Sequence, residues 1–359
     1  MDSMTDLPLT RRSLLTVAAL AGVGVLAGCE SRPTEPSGWA DGVPERPERL
    51  GKDTAVCDSR PVLPRPVLSP TGALLFTADV LVDVAGRSGA MLWDVAAERL
   101  LPDSLLGAGS RLTVFRNDDS LIDVVGAFVV HVDQAGGTAR HFGTGHALFE
   151  PPCSGVTAIT SVACSSIGKY VATAGLDGHV GIFDWASATR LTWVKVSSDE
   201  RAMVHGFILD KLVVSHDGAT LLLTMDGTEA FRFDHTPHRP LVAGDTLLVS
   251  NPDGGWDRID PATGEELTHL ASEMPHWDTL TPDGATLFTS PQDPVGTSLE
   301  PRPFRFTDVT TGESRELSLT IQTGGTVLLP DSRLLATTME GVTVLDQTTG
   351  QQQGHFTTA

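Results

Sequence analysis

Seven times after residue 60 the chain ends a short β-rich phrase on an aspartate, at Asp94, Asp133, Asp184, Asp234, Asp260, Asp308 and Asp346. The mean spacing over the six gaps is 42 residues, with single gaps from 26 to 51. The clearest unit starts at Ser166-Ile167-Gly168 and runs through KYVATAGLDGHVGIFD to Asp184. It reads as a Gly turn, a strand, an Asp177-Gly178 hairpin and a second strand. Asp-Gly between two β-rich runs is a strong hairpin signal, because the tight turn needs positive φ twice. The unit recurs from Gly218 to Asp234 around Asp226-Gly227, and from Gly244 to Asp260 around Asp253-Gly254. In all three the first Gly and the last Asp are 16 residues apart.

A period of about 40–45 residues with four short strands per unit predicts the blades of a β-propeller. One four-stranded sheet cannot cover both of its faces, but seven packed around an axis bury them and leave only short edges. The expected fold is all-β, a seven-bladed β-propeller of four-stranded antiparallel blades over residues 50–359. No long segment has a 3.6-residue apolar period. Looser units run from SPTG at 69–72 to Asp94, from Asn117-Asp118-Asp119 to Asp133, from TPDG at 281–284 to Asp308 and from PDS at 330–332 to Asp346. Two insertions, 80–90 and 291–302, fall in second-to-third-strand hairpins, a kind of loop in which binding often resides.

The chain resembles the WD-repeat family and its bacterial propeller relatives. The likeness is carried by Ala172-Thr173-Ala174-Gly175 with Asp177-Gly178 and Val180 to Asp184, by Met91-Leu92-Trp93-Asp94, and by the Pro-Asp-Gly turns at 252–254 and 282–284. It implies a rigid platform that holds a protein, peptide or glycan over one face. The family's Gly-His pair ahead of the first strand is missing: Gly145-His146 stands too far before Gly168, and His276 follows Pro275. The Asp–His hydrogen-bond network of regular WD blades is therefore not expected.

Asp-x-x-Thr-Gly follows the third predicted strand at Asp260/Gly264, Asp308/Gly312 and Asp346/Gly350. An Asp carboxylate accepts from N–H groups two residues on, and Gly supplies the left-handed residue of a bulged hairpin. We read the phrase as turn chemistry, with Asp94, Asp184 and Asp234 in the same structural role. A similar phrase in pyrroloquinoline-quinone propellers is followed by a docking Trp, which is absent here, so no cofactor is expected. Asp234-His235-Thr236-Pro237-His238 places two imidazoles near a carboxylate, short of the three or four convergent ligands a metal needs; no metal is expected. His131, His141 and His146 flank the second unit without a ligand spacing. Trp185, Trp193, Trp256 and Trp277 are read as blade packing, with a binding patch as the alternative. No nucleophile elbow, HExxH, phosphate loop or dinucleotide fingerprint follows a strand. Catalytic residues are thus none by motif. The alternative is a hydrolase or lactonase-like propeller with carboxylates gathered from several blades at the central channel mouth.

The first thirty residues have the layout of an export signal: a polar start, Arg11-Arg12, a 13-residue apolar run from Leu14 to Leu26 and a small-residue region. That run is too short to cross a hydrocarbon core of about 30 Å. Thr10-Arg11-Arg12-Ser13-Leu14-Leu15 is similar to a twin-arginine signal, which exports folded proteins. Leu26-Ala27-Gly28-Cys29 resembles the lipobox of bacterial lipoproteins, which implies cleavage before Cys29 and lipid on its sulfur. The expected organisation is a removed signal over 1–28, a lipidated Pro-rich tether over 29–49 and the propeller beyond. The membrane is then reached through the N-terminal lipid, outside the cytoplasm, with a protein or peptide partner in the envelope. A formal charge of −20, with 45 acidic against 25 basic residues, argues against nucleic acid. Of Cys57, Cys153 and Cys164 any two can pair outside the cytoplasm, and the pairing stays open.

Overall fold

A computed structural model of the chain describes residues 49–50, 67–84, 87–101, 113–118, 120–125, 128–132, 138–146, 148–149, 159–197, 201–272, 278–289, 302–319, 325–329, 331, 333–338 and 341–357. Arg11, Arg12, Cys29, the tether before Arg49, Cys57, Asp133, Cys153, Trp277 and the insertion up to residue 301 lie outside them.

Within these residues the chain forms seven four-stranded sheets, each with strands in sequence order. They are numbered here sheet 1 (67–100), sheet 2 (113–143), sheet 3 (159–195), sheet 4 (203–233), sheet 5 (241–270), sheet 6 (278–319) and sheet 7 (325–357). Every pairing inside them is antiparallel. The protein is a β-propeller.

The residue pattern explains why the sheets stack. The middle strands read as nearly continuous apolar runs, such as Ala219–Thr224 and Thr246–Ser250, where all or all but one residue is buried. Neighbouring side chains on a strand point to opposite faces, so such a run supplies two cores. Leu212 packs toward sheet 3 and Val213 toward sheet 5; Leu247 packs toward sheet 4 and Leu248 toward sheet 6. Seven apolar clusters join the sheets pairwise from 1–2 to 6–7 and finally 7–1. The last cluster sets Trp93 and Leu75 against Phe356, Val344 and Leu335. Each fully buried Leu, Ile, Val or Phe is worth about 1.5–3 kcal/mol over its exposed state, so closure is an apolar effect repeated around the ring.

First strands of successive sheets touch one another, 159–164 against 203–208 and 203–208 against 241–243, so they line the inner wall. Because strands alternate in direction, first–second and third–fourth turns share one rim, the turn rim. Second–third turns and the connections between sheets share the other, the junction rim. A separate two-residue parallel pairing sets Arg49–Leu50 beside Leu148–Phe149 in the connection from sheet 2 to sheet 3.

In five sheets the predicted terminal Asp ends or directly follows the third strand, at Asp94, Asp184, Asp260, Asp308 and Asp346; the Asp133 position lies outside the described residues. Sheet 4 corrects the sequence reading. There Ala219–Thr224 is the third strand, not the second, and Asp226-Gly227 turns from third to fourth. Asp234 consequently follows the fourth strand, Glu229–Phe233. The Asp-Gly signature marks a hairpin but not which hairpin, and sheet 4 uses it twice, at 217–218 and 226–227. The long gap before Asp234 and the gap of 26 after it are the trace of this shift.

Candidate functional site

On the turn rim the carboxylates are held by their own turns. Asp308 Oδ1 accepts from the N–H groups of Thr310 at 2.9 Å and Thr311 at 2.7 Å, and from the Thr311 hydroxyl at 3.1 Å. Asp346 repeats the pattern with Thr348 at 2.8 Å and Thr349 at 2.7 and 3.0 Å. Asp260 accepts from Ala262 N–H at 2.8 Å, Asp184 from Ser187 N–H at 2.9 Å and Asp94 from Ala97 N–H at 2.9 Å. Gly264, Gly312 and Gly350 sit at φ of 76°, 74° and 71°. A Cβ on Gly350 would come within 2.6 Å of Leu319, so close packing adds to the backbone demand. Asp234, displaced by the shift in sheet 4, instead accepts from Arg232 Nε at 2.8 Å.

The pKa shifts among the turn-rim aspartates run downward. Backbone N–H donation holds Asp308, Asp346 and Asp184 below the usual carboxylate range, Thr311, Thr349 and Ser187 being the leading donors. Side-chain hydrogen bonds lead for Asp226, Asp283 and Asp331, from Thr224, Thr281 and Arg333. A general acid at neutral pH needs the opposite shift, produced by burial.

On the junction rim polar groups fasten sheets together. His146 is fully buried; its Nδ1 lies 3.2 Å from Asp177 Oδ1 and its Nε2 2.9 Å from Thr173 Oγ1. Trp193 covers the ring at 4.7 Å and stacks on His179 at 5.1 Å, with the Arg190 guanidinium 5.1 Å above it. This corrects the expectation that Gly145-His146 is too distant to serve sheet 3. His146 is followed by a connection of twelve residues before Ile159, and sequence distance misjudges its reach. The signal was the Gly-His pair itself, with the length of the following loop left free. In sheet 4 the Ser197 hydroxyl donates to Asp217 Oδ2 at 3.2 Å, and His216 Nδ1 lies 3.2 Å from the same oxygen. A serine, an aspartate and a histidine meet here, but the carboxylate stands between the other two. The serine hydroxyl thus faces the carboxylate, which is not the Ser–His–Asp order of an activated nucleophile. In sheet 5 the Trp256 indole donates to Asp278 at 2.5 Å.

The other sequence candidates fall apart in space or join the packing. His235 is exposed and His238 half-buried, its backbone bonded to Ser250 Oγ. No group of three or more His, Cys, Asp or Glu able to hold a metal occurs among the described residues. Trp185 and Trp256 are buried between sheets, and Trp193 is half-buried on His146. Cys164 is a free thiol among the described residues, pushed up to about 12 by burial; it is a core side chain, not a reactive one. No helix among the described residues is long and apolar enough to cross a membrane.

The fold and both rims define a propeller whose charged turn residues are engaged by the fold itself. No protein-family model and no curated protein matches the chain. Among solved structures it is similar to BamB from Moraxella catarrhalis, at 16% identity over 69% of this chain and 73% of that one, with a TM-score of 0.48. It is also similar to the Cps50 (Swd1) β-propeller domain from Myceliophteria thermophila, at 17% identity over 69% and 86%, with a TM-score of 0.49. Neither likeness reaches beyond strand arrangement, and the fold stated above rests on the chain's own sheets.

Proposed function

We propose that the protein is a lipid-anchored, extracytoplasmic propeller that acts as a non-catalytic protein-binding platform. The supporting observation is the uniform direction of carboxylate tuning. Among the turn-rim aspartates, Asp184, Asp226, Asp283, Asp308 and Asp346 are held as anions by donors of their own turns, and Asp210 and Asp331 by Lys211 and Arg333. This favours rigid, charged turns over acid–base chemistry there. The apolar closure of the ring supports the same reading, because a platform must hold its turns fixed. Anchoring rests on the leader: Arg11-Arg12 and the lipobox-like Leu26-Ala27-Gly28-Cys29 argue for folded export and lipid on Cys29. Two or three acyl chains at one point bind a membrane stably where one does not. The Pro-rich tether, reaching roughly 60 Å when extended, then sets the ring off the surface.

Two measurements test this. Replacing Cys29 by Ala should move the protein from the membrane to the soluble fraction; a variant that stays membrane-bound refutes the lipid anchor. Photo-crosslinkers placed on the turn rim of the full chain in cells should capture a discrete protein partner. Turnover of ester, lactone or glycoside substrates that disappears on changing rim carboxylates would establish the enzyme alternative instead.

A further inference from the structure

Four large apolar side chains are exposed among the described residues: Ile167 (65%), Leu209 (61%), Leu267 (53%) and Leu191 (47%). Leu191 and Leu267 lie on fourth strands, 189–195 and 266–270, the outer edges of sheets 3 and 5. Ile167 and Leu209 lie in first–second turns of adjacent sheets, 3 and 4, at the inner part of the turn rim. Half-buried Tyr170 and Phe207, rings 6.4 Å apart, bridge the two sheets behind these tips.

Leu209 breaks the chemistry of its own turn. Ile208 pairs with Lys211, so the loop is the two residues Leu209-Asp210. Its first residue takes φ of 51°, where such hairpins favour Gly, Asn or Asp. A leucine there is both strained and solvated, and folding calls for neither. An observed backbone outlier of this kind points toward function.

We infer that this pair of tips is the docking point for a protein segment that carries an apolar anchor flanked by Lys or Arg. The inference rests on the platform reading and adds the face and the chemistry of the partner. Charge sets the flanks. Five of the seven first–second turns carry an aspartate, at 118, 210, 245, 283 and 331. Arg116, Lys211 and Arg333 lie 3.4, 3.0 and 2.8 Å from the first, second and last. The third–fourth turns outside them hold Asp184, Asp260, Asp308 and Asp346 with backbone N–H groups, which satisfy the oxygens without cancelling the charge. Lys169 stands beside Ile167 and Lys211 pairs with Asp210, so charge balances at the tips themselves. The carboxylate excess lies on the rim around them, where it attracts basic flanks and repels an anionic lipid surface.

The test is selection of a random displayed-peptide library on the full chain purified in detergent, with binding of the winners measured at low and high salt. Winners should share an apolar residue flanked by Lys or Arg and weaken at high salt. Leu209→Gly and Ile167→Ser should each reduce their binding about tenfold or more, while Leu191→Ser and Leu267→Ser leave it unchanged. Leu209→Gly relieves the turn, so an unchanged or raised Tm separates lost docking from lost folding. Winners that ignore both tips, or that carry acidic flanks, overturn the docking face but leave the platform standing. No winners at all overturn both. Tip-dependent binding to phosphatidylglycerol vesicles would assign the tips to lipid and defeat the proposal.

Discussion

Sheets 3 and 4 are neighbours that share one apolar cluster, yet they finish their rims differently. Sheet 3 follows the resemblance: Asp177-Gly178 turns from second to third strand, Asp184 closes the third, and a histidine from the preceding connection reaches both Asp177 and Thr173. Sheet 4 keeps an Asp-Gly pair at that hairpin, adds a second at its third–fourth turn, uses its own His216 beside Asp217 and places a leucine where a turn residue belongs. Both nonetheless present the same burial to their shared core. Apolar alternation decides where a sheet sits, while turn residues are free to vary and to take on other work.

Breaking the shared core should cost most. Leu212→Ala, at a fully buried position of the joint cluster, should lower unfolding stability by about 2–5 kcal/mol in denaturant titration. A loss well under 1 kcal/mol would mean that the two sheets do not depend on each other. The histidines come next. His146→Ala removes the ring that both Asp177 and Thr173 face and should cost about 1–3 kcal/mol. His216→Ala should cost less, because His216 Nε2 has no hydrogen-bond partner to lose. Equal losses would remove this distinction between the two sheets. At Leu209 the sign reverses. Relief of roughly 1–2 kcal/mol of left-handed strain is partly offset by the flexibility glycine adds to the unfolded chain, so Leu209→Gly should be neutral to about 1 kcal/mol more stable. A clear fall in Tm would show that the leucine supports the fold.

The smallest effect concerns pH. Asp184, Asp308 and Asp346 have folded pKa values below their unfolded ones. A depressed carboxylate contributes stability above its unfolded pKa, near 4, and loses it as pH falls through the folded value. Sheets 3, 6 and 7 should therefore lose their third–fourth turns first below about pH 4, with little change between pH 5 and 8. Asp308→Asn should flatten part of that acid limb; a variant with an unaltered limb would dissociate the turn carboxylates from acid stability.

Most of the architecture was legible because it repeats. Asp260, Asp308 and Asp346 set a period, and each closes a third strand in the folded chain. Sheet 4 was misread because Asp-Gly reports a hairpin without its place in the order. His146 was passed over because contact across a looped connection does not scale with sequence distance. Leu209 could not be flagged at all: a leucine between β-rich runs looks like core until the turn around it is known. Exposed apolar tips become visible only once burial has been assigned, so the candidate docking face, unlike the ring, lay outside what the sequence could show.

The seam between sheets 1 and 7 has a consequence for biosynthesis. Trp93 meets Phe356 at 6.5 Å between ring centroids, and Phe356 is fully buried there. The two are translated roughly 260 residues apart, an interval of about 10–50 s at 5–20 residues per second. Throughout that time the first sheet waits with one apolar face uncovered. A chain released early keeps that face open, so the finished ring serves as its own certificate of completeness.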